Sequence, residues 1–204
     1  MIYPEARILL FAKAPTPGTV KTRLIPDIGE QAATELHKEL LLHALNTVTA
    51  AALSPVELWC APDTQHPFFT ECQRRFSVPL HCQQGAGLGA RMHHALSQYR
   101  GTPTLLIGSD IPSIDAGYLK QGIEALLQGK SWVIGPAEDG GYVLIGCYES
   151  DEQLFNGVAW GGDQVLAQTM KKAKQCGVSP LLLEPLWDLD NAADLLRWRT
   201  EGNF

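Results

Sequence analysis

Short apolar runs alternate along the chain with longer segments in which apolar residues recur every three or four positions. The short runs predict β-strands at residues 8–11, 56–60, 80–82, 104–107, 132–134, 142–145 and 180–183. The periodic segments predict helices at about residues 30–53, 68–76, 90–99, 115–127, 163–174 and 191–199. Because strands and helices take turns, the pattern predicts an α/β fold whose mostly parallel sheet is covered on both faces.

Length and composition indicate one globular domain spanning residues 1–204. A chain of 204 residues can build one good core, and neither a linker nor a repeat divides it. No segment approaches the roughly twenty uninterrupted apolar residues of a membrane span. The first seven residues lack the basic head and cleavage site of a signal peptide. We therefore expect a cytoplasmic protein without a membrane span.

Charge and cysteine content exclude two further classes of function. The formal net charge is −6, whereas binding to nucleic acid requires a broad basic face, so no nucleic-acid partner is expected. The five cysteines are scattered, and no C-x-x-C pair occurs among them. They are expected to be free thiols rather than zinc ligands or disulfides.

A basic loop directly follows the first predicted strand. It carries three cations in eleven residues, Lys13, Lys21 and Arg23, together with two prolines and Gly18. Loops after the strands of α/β sheets often bind phosphate, and cations meet the negative oxygens there. The loop matches neither the P-loop, because Val20 precedes Lys21, nor the dinucleotide fingerprint. Phosphate binding is the favoured interpretation, and a basic surface loop is the alternative.

Two more polar loops follow predicted strands. Residues 83–92 place three glycines before a helix, which brings backbone N–H groups close to a ligand or simply makes a flexible turn. Asp110 follows the strand at 104–107, where an unpaired carboxylate is costly. Beside a phosphate loop it suggests a site for Mg²⁺ or Mn²⁺, both of which prefer oxygen ligands. The alternative is that Asp110 caps the following turn.

Acidic residues also occur in two later loops. Asp139 lies in a glycine-rich turn between two strands, which is either a plain hairpin or a surface for an acceptor molecule. Asp188 and Asp190 point to the same side of an extended segment, so either could complete a metal site. Alternatively, Asp190 is the N-cap of the last helix, as Asp163 is predicted to be for the helix at 163–174.

Taken together, these motifs resemble a bacterial family of small GT-A-type, glycosyltransferase-like proteins, often left as a domain of unknown function. The resemblance rests on FAKAPxPGxVKTRL at 11–24, QGxxLGxRM at 84–92, GSDxP at 108–112, DGGY at 139–142 and DxDN at 188–191. The chain departs from the family pattern at Asn191, where threonine is usual, and at 160–162, where Trp-Gly-Gly replaces the common Trp-Ser-Thr.

The resemblance implies a Rossmann-like nucleotide-diphospho-sugar transferase fold with a mixed, mostly parallel central sheet. It also implies similarity to molybdenum-cofactor guanylyltransferase and 2-phospholactate guanylyltransferase. By position, the implied nucleotide-binding residues are Phe11, Ala12, Lys13, Lys21, Arg23, Gln84, Gly85, Gly89, Arg91 and Ser109. The implied metal ligands are Asp110 and Asp190. The implied acceptor-side residues are Asp139, Gly140, Gly141 and Tyr142.

The function that follows is the metal-dependent transfer of a sugar from a nucleotide-diphospho-sugar to a small-molecule acceptor. Asp139, Lys21 and Arg23 are the candidate catalytic residues, with Asp139 as a base on the acceptor side. A nucleotidyltransferase that uses a nucleoside triphosphate and releases pyrophosphate is the alternative, because the same cations and metal would serve it. A nucleotide-binding regulator without catalysis is a third interpretation. The sequence leaves the base, the sugar, the acceptor and the oligomeric state open.

Overall fold

A seven-stranded sheet forms the centre of the protein, with strand order β3-β2-β1-β4-β6-β5-β7. We analysed a computed structural model, and the structure describes residues 1–201. The strands are β1 (Arg7–Lys13), β2 (Val56–Ala61), β3 (Leu80–Cys82), β4 (Thr104–Ile107), β5 (Trp132–Pro136), β6 (Tyr142–Cys147) and β7 (Leu181–Leu182). The α/β class and the mixed, mostly parallel sheet expected from the sequence are confirmed.

Within residues 1–201, seven α-helices connect and cover these strands. They are α1 (Ile25–Ile28), α2 (Glu30–Ala50), α3 (Pro67–Phe76), α4 (Leu88–Ser97), α5 (Ala116–Leu127), α6 (Val165–Gln175) and α7 (Ala192–Glu201). Two 3-10 turns, at Thr22–Leu24 and Glu152–Leu154, were not predicted. None of the helices described within 1–201 has both the length and the apolar content needed to cross a membrane.

Strand direction places most strand ends at the same edge of the sheet. β1 lies between β2 and β4 and runs parallel to both, with Leu10 opposite Leu58 on one side and Ile107 on the other. β6 is antiparallel to β4 and to β5. The start of β6 therefore lies near the ends of β1 and β4, as antiparallel pairing requires.

The two faces of the sheet bury separate apolar clusters. Along β1, Ile8 and Leu10 belong to the cluster on the face of α2, α3 and α5, whereas Leu9 and Phe11 belong to the cluster on the face of α4 and α6. This alternation follows from the two-residue side-chain period of a strand. A third cluster joins the segment after β1 to the end of the chain through Leu24, Leu36, Leu40, Trp187, Leu189, Leu195 and Trp198.

The N-terminus of α7 is capped differently from the sequence-based expectation. Asn191 Oδ1 accepts hydrogen bonds from the backbone N–H groups of Ala193 (2.9 Å) and Asp194 (3.2 Å). The Asp194 carboxylate in turn accepts from Asn191 N at 3.0 Å, which completes a reciprocal capping arrangement. The alternative in which Asp190 caps this helix is therefore wrong, and the Asp190 carboxylate is available for other contacts.

The predicted cap of α6 is also wrong. Gln164 occupies the N-cap position, and its side chain makes no capping hydrogen bond, so Asp163 lies outside the helix. Asp163 instead lies against the turn before β6, where its carbonyl oxygen would be 2.0 Å from a Cβ at Gly140. A side chain cannot fit there, and Gly140 also has φ +89°. The tertiary contact between these two loops overrides the local capping preference.

Replacing the α7 cap should destabilise the protein measurably. Asn191→Ala removes an acceptor for two backbone N–H groups, so we expect a loss of about 1 kcal/mol, or roughly 2–4 °C in Tm. Gln164→Ala is the matched control, because Gln164 holds the same position in α6 without a side-chain bond. Thermal unfolding of both variants checks this; equal losses would contradict the assignment of Asn191 as the cap.

Candidate functional site

A cleft with two lobes opens at the sheet edge where β1 and β4 end and β6 begins. The polar lobe, with a volume of about 410 Å³, is lined by the basic loop together with His37, Gln83, Arg91 and Ser109. The apolar lobe, of about 260 Å³, lies over β4 and β6. The residues common to both lobes are Phe11, Arg23, Leu88, Gly108, Asp110 and Asp190. The two lobes therefore form one continuous cleft, and carboxylates stand where they meet.

Lys21 connects three parts of the chain at this meeting point. Its ammonium donates to Asp110 Oδ2 at 2.8 Å, to Asp190 Oδ1 at 3.1 Å and to the carbonyl of Leu189. Its side chain is only 4% exposed. The backbone of Lys21 is left-handed, with φ 46° and ψ 41°, a conformation that non-glycine residues rarely adopt. The bonds of the ammonium hold the residue in this conformation.

The ion pairs shift the pKa values of Lys21 and Asp110 toward the charged forms of both groups. Burial lowers the pKa of Lys21, but the nearby carboxylates of Asp110 and Asp190 outweigh it, so the pKa is raised overall. Burial raises the pKa of Asp110, but the Lys21 ammonium outweighs it, so this pKa is lowered. Asp110 is thus a charged partner of Lys21, and the alternative in which it caps the following turn is not observed.

Arg23 extends the same network toward solvent. Its guanidinium donates to Asp190 Oδ2 at 3.1 Å and to the carbonyl of Gly161 at 3.2 Å. The Arg23 side chain is 60% exposed, so this ion pair contributes little to stability. Arg23 is therefore a cation at the mouth of both lobes that can turn toward a negatively charged ligand.

Three carboxylates form what we call the acidic cluster: Asp139, Asp188 and Asp190. Each offers an oxygen, and these oxygens all lie within 4.8 Å of one another. The pKa of Asp188 is raised to about 7, first by burial and then by the negative charges of Asp110, Asp139 and Asp190. Hard divalent cations bind such oxygen sets, so the cluster fits Mg²⁺ or Mn²⁺ chemically.

The structure brings only part of the expected metal pair into this cluster. Asp190 belongs to it, whereas Asp110 is outside the group of three and bonds to Lys21 with one oxygen. Asp188, which the sequence left undecided against Asp190, lies in the cluster together with it. Asp139 was expected on the acceptor side, and its Oδ1 accepts from Gly141 N at 2.9 Å.

The polar lobe contains two side chains whose orientation is fixed by backbone carbonyls. Gln83 Nε2 donates to the carbonyls of Ala12 (3.2 Å) and Trp59 (2.8 Å). His37 Nε2 lies 2.8 Å from the carbonyl of Lys13, so this nitrogen carries a proton. Burial lowers the pKa of His37, which favours the neutral ring. Neither residue was predicted; the position of Gln83 directly after β3 is the signal that could have indicated it.

The residues expected to bind nucleotide do not all reach the cleft. Those that line the polar lobe are Phe11, Ala12, Lys13, Lys21, Arg23, Arg91 and Ser109. Gln84 instead lines a separate hollow beside Trp59 and His81. Gly85 and Gly89 line neither lobe. On the acceptor side, Asp139, Gly141 and Tyr142 line the apolar lobe, and Gly140 packs against Asp163.

Gly89 has a packing role that explains why it is a glycine. A Cβ at Gly89 would lie 2.6 Å from Cζ2 of Trp160, a wall residue of the apolar lobe. Trp160 also stacks on Phe155, with ring centroids 6.4 Å apart, and contacts Tyr142 edge to face at 6.1 Å. The absence of a side chain at Gly89 therefore sets where the Trp160 wall stands.

Comparison with known proteins identifies the family. The family model described as "Uncharacterized protein conserved in bacteria (DUF2064)" matches residues 44–162, more than half of the 204-residue chain. The chain belongs to this family. A search of curated proteins finds no match.

Solved structures extend the comparison to transferases. A protein of Desulfovibrio desulfuricans G20, provisionally assigned as a nucleotide-diphospho-sugar transferase, has 31% identity and a TM-score of 0.85, covering 98% of this chain and 89% of that one. A nucleotidyl transferase from Methanothermobacter has 17% identity and a TM-score of 0.64, covering 96% and 97%.

A third structure, glucosyl-3-phosphoglycerate synthase from Mycobacterium tuberculosis, was solved with Mn²⁺, UDP and glucosyl-3-phosphoglycerate. It has 10% identity and a TM-score of 0.56, covering 96% of this chain and 76% of that one. These similarities establish the nucleotide-diphospho-sugar transferase fold, and together they support a transferase.

Filling the space at Gly89 should displace Trp160. Gly89→Ala forces the indole away from α4, and we expect a loss of about 1–3 kcal/mol from overpacking. Gly87→Ala is the control at the N-cap of the same helix, because nothing lies within 4 Å of its Cβ position, and it should cost only about 0.5 kcal/mol. Urea unfolding of both variants checks this; equal stabilities would show that Trp160 does not depend on Gly89.

The raised pKa of Asp188 predicts a pH-dependent loss of stability in metal-free buffer. The folded protein keeps the proton up to about pH 7, whereas the unfolded chain releases it near the ordinary aspartate pKa of 3.8. Stability therefore falls as pH rises from about 4 to about 7, by roughly 1–2 kcal/mol after solvent screening. Asp188→Asn should remove this decline and be more stable than wild type above pH 7, which thermal unfolding with EDTA measures.

Asp27→Asn is the control for this measurement, because the Asp27 side chain is exposed and lies outside the cleft. It should leave the slope of stability against pH unchanged. A parallel decline in wild type and Asp188→Asn would contradict the interpretation that burial and the neighbouring carboxylates raise the pKa of Asp188.

Proposed function

We propose that the protein is a metal-dependent glycosyltransferase that moves a sugar from a nucleotide-diphospho-sugar to a small-molecule acceptor. The observation that carries the proposal is the position of the acidic cluster: Asp190 lines both the polar lobe with its cations and the apolar lobe, and Asp139 and Asp188 line the apolar lobe beside it. A donor with a diphosphate and an acceptor without one require these two environments on opposite sides of the reacting bond.

The polar lobe suits the nucleotide. Lys13 and Arg91 line it together with Arg23, and Arg23 stands where the lobes meet, so these cations can contact a diphosphate. Ser109 and the fixed amide of Gln83 add polar groups deeper in the lobe. Lys21 was expected to contact phosphate; we propose that it acts through the carboxylates it bonds, because its three ammonium bonds are already formed.

A divalent cation would be held by Asp188 and Asp190, whose oxygens converge, and the neighbouring carboxylate of Asp139 would stay available to the acceptor. When bound, the ion would neutralise the negative charge on the departing diphosphate, as electrostatic stabilisation of a leaving group requires. Arg23 can also neutralise charge on the departing diphosphate, because its guanidinium lies beside Asp190 and its side chain is largely exposed.

In the proposed reaction the bond between the anomeric carbon and the diphosphate oxygen breaks, and the acceptor oxygen bonds to that carbon. The acceptor hydroxyl gives its proton to a carboxylate, for which Asp139 is the candidate because it is exposed at the edge of the apolar lobe. The nucleoside diphosphate leaves with the bonding electron pair. Positioning of the two substrates supplies much of the remaining rate enhancement.

Nucleotidyl transfer is the second candidate, favoured by the similarity of the fold to the Methanothermobacter nucleotidyl transferase. The same cations would then hold a nucleoside triphosphate, and pyrophosphate would leave. A nucleotide-binding regulator would bind the same ligands without turnover.

A thermal-shift panel with Mn²⁺ tests the proposal by comparing each nucleoside triphosphate with the matching nucleotide sugars. Binding to the folded state raises Tm with the ratio of ligand concentration to Kd, so the best donor gives the largest shift. We expect a nucleotide sugar to give the largest shift. In Asp190→Asn the Mn²⁺-dependent part of this shift should shrink, with an apparent Kd for the nucleotide sugar at least tenfold higher. Asp27→Asn, exposed and outside the cleft, should match wild type.

The outcomes separate the candidates. A largest shift with a triphosphate, followed by pyrophosphate release, would replace glycosyl transfer by nucleotidyl transfer. Nucleotide binding without release of nucleoside diphosphate or pyrophosphate, whichever acceptor is added, would favour the regulator. An Mn²⁺-dependent shift that survives Asp190→Asn would remove the acidic cluster from the proposed site.

A further inference from the structure

The walls of the apolar lobe come from the hydrophobic core. Phe11, Met92, Leu106 and Ile145 line it, and all four belong to the buried cluster on the face of α4 and α6. Met92 is 4% exposed and Leu106 is 5% exposed, so the lobe reaches into the core rather than lying on the surface. Trp160 closes the lobe over Gly89.

Among the described residues that line the apolar lobe, the charged ones lie at its mouth, the side where it meets the polar lobe and the acidic cluster. They are Arg23, Asp110, Asp139, Asp188 and Asp190. Arg23 is the single cation among these lining residues and is assigned above to the diphosphate of the donor, so the lobe offers no further cation to an anionic body. The hydroxyl of Tyr142 is buried beside that of Thr169, without the geometry of a hydrogen bond to it.

Three backbone N–H groups of the lobe are also engaged. The N–H of Gly108 bonds to the carbonyl of Val143, that of Ala137 to the carbonyl of Gly141, and that of Gly141 to Asp139. The carboxylates can accept hydrogen bonds from one edge of a polyhydroxyl molecule. Hydroxyls that lie against Met92, Leu106 and Ile145 would have no partner there, each at a cost of about tenfold in affinity. An apolar group gains from the same walls, because they remove its surface from water.

We propose that the acceptor is an alcohol with a compact apolar body, such as an aromatic ring system. The body fills the apolar lobe between Met92 and Trp160, and its hydroxyl meets the acidic cluster at the mouth. This inference rests on the proposed transferase function and names the substrate class for its second substrate. A sugar or sugar phosphate is disfavoured as the occupant of this lobe.

Ligand-observed NMR titration of the full chain with Mg²⁺ tests the inference with two probes, 2-(2-naphthyl)ethanol and methyl α-glucoside. The naphthyl alcohol should bind at least tenfold more tightly than the glucoside. Met92→Trp fills the lobe and should weaken the alcohol at least tenfold; Trp160→Ala removes a wall and should weaken it about three- to tenfold. Leu196→Ala, on α7 with a side chain 64% exposed, should change nothing.

Tighter binding of the glucoside, binding of neither probe, or alcohol binding that survives both lobe variants would overturn the inference. If Met92→Trp does not fold, Trp160→Ala decides, because the Trp160 side chain is only partly buried. The nucleotide panel is run on the same samples. If the wild type binds nucleotide but not the alcohol, the proposed acceptor class alone is wrong. If the wild type binds no nucleotide, the proposed transferase function is wrong.

Discussion

The buried ammonium of Lys21 is the contact on which the site depends. It ties the loop after β1 to Asp110 after β4 and to Leu189 and Asp190 near the end of the chain. These segments are far apart in sequence, and a charge that is 4% exposed cannot remain unpaired. The side chains of Asp110 and Asp190 are 35% and 33% exposed, so breaking one of these pairs costs less than the roughly 3–5 kcal/mol of a fully buried pair. The third apolar cluster also holds two of these segments together, because it contains Leu24 from the loop after β1 and Leu189 from near the end of the chain.

The remaining charges follow from that junction. Lys21 and Arg23 balance Asp110 and Asp190, but Asp188 has no cationic partner among the described residues, and its pKa rises to about 7. The cap on α7 comes from Asn191, which leaves Asp190 free to face the cleft. The result is a cluster with more negative charge than the protein neutralises, at the point where a polar and an apolar lobe meet. That excess is what a divalent cation or a proton would balance.

The sequence predicts the order and type of the main elements, because periodicity and strand ends are local properties. It also indicates the segments that form the cleft, since the carboxyl ends of parallel strands meet at one edge. It does not predict that Lys21 bonds to carboxylates, because the partners lie 89 and 169 positions away. Gln84 and Gly89 fail to line the cleft for a similar reason: the direction of Gln83 and the position of Trp160 are set by tertiary contacts.

The most direct test of this account compares the stabilisation by Mn²⁺ in Lys21→Met and in wild type, measured as the change in Tm relative to EDTA. Lys13→Met is the control, because Lys13 belongs to the same loop and its ammonium bonds to the carbonyl of Thr19 and to no carboxylate among the described residues. If Lys21 balances the carboxylates, Lys21→Met unfolds at lower temperature in EDTA and gains more from Mn²⁺ than wild type or the control. Equal Mn²⁺ shifts in all three proteins would contradict the account.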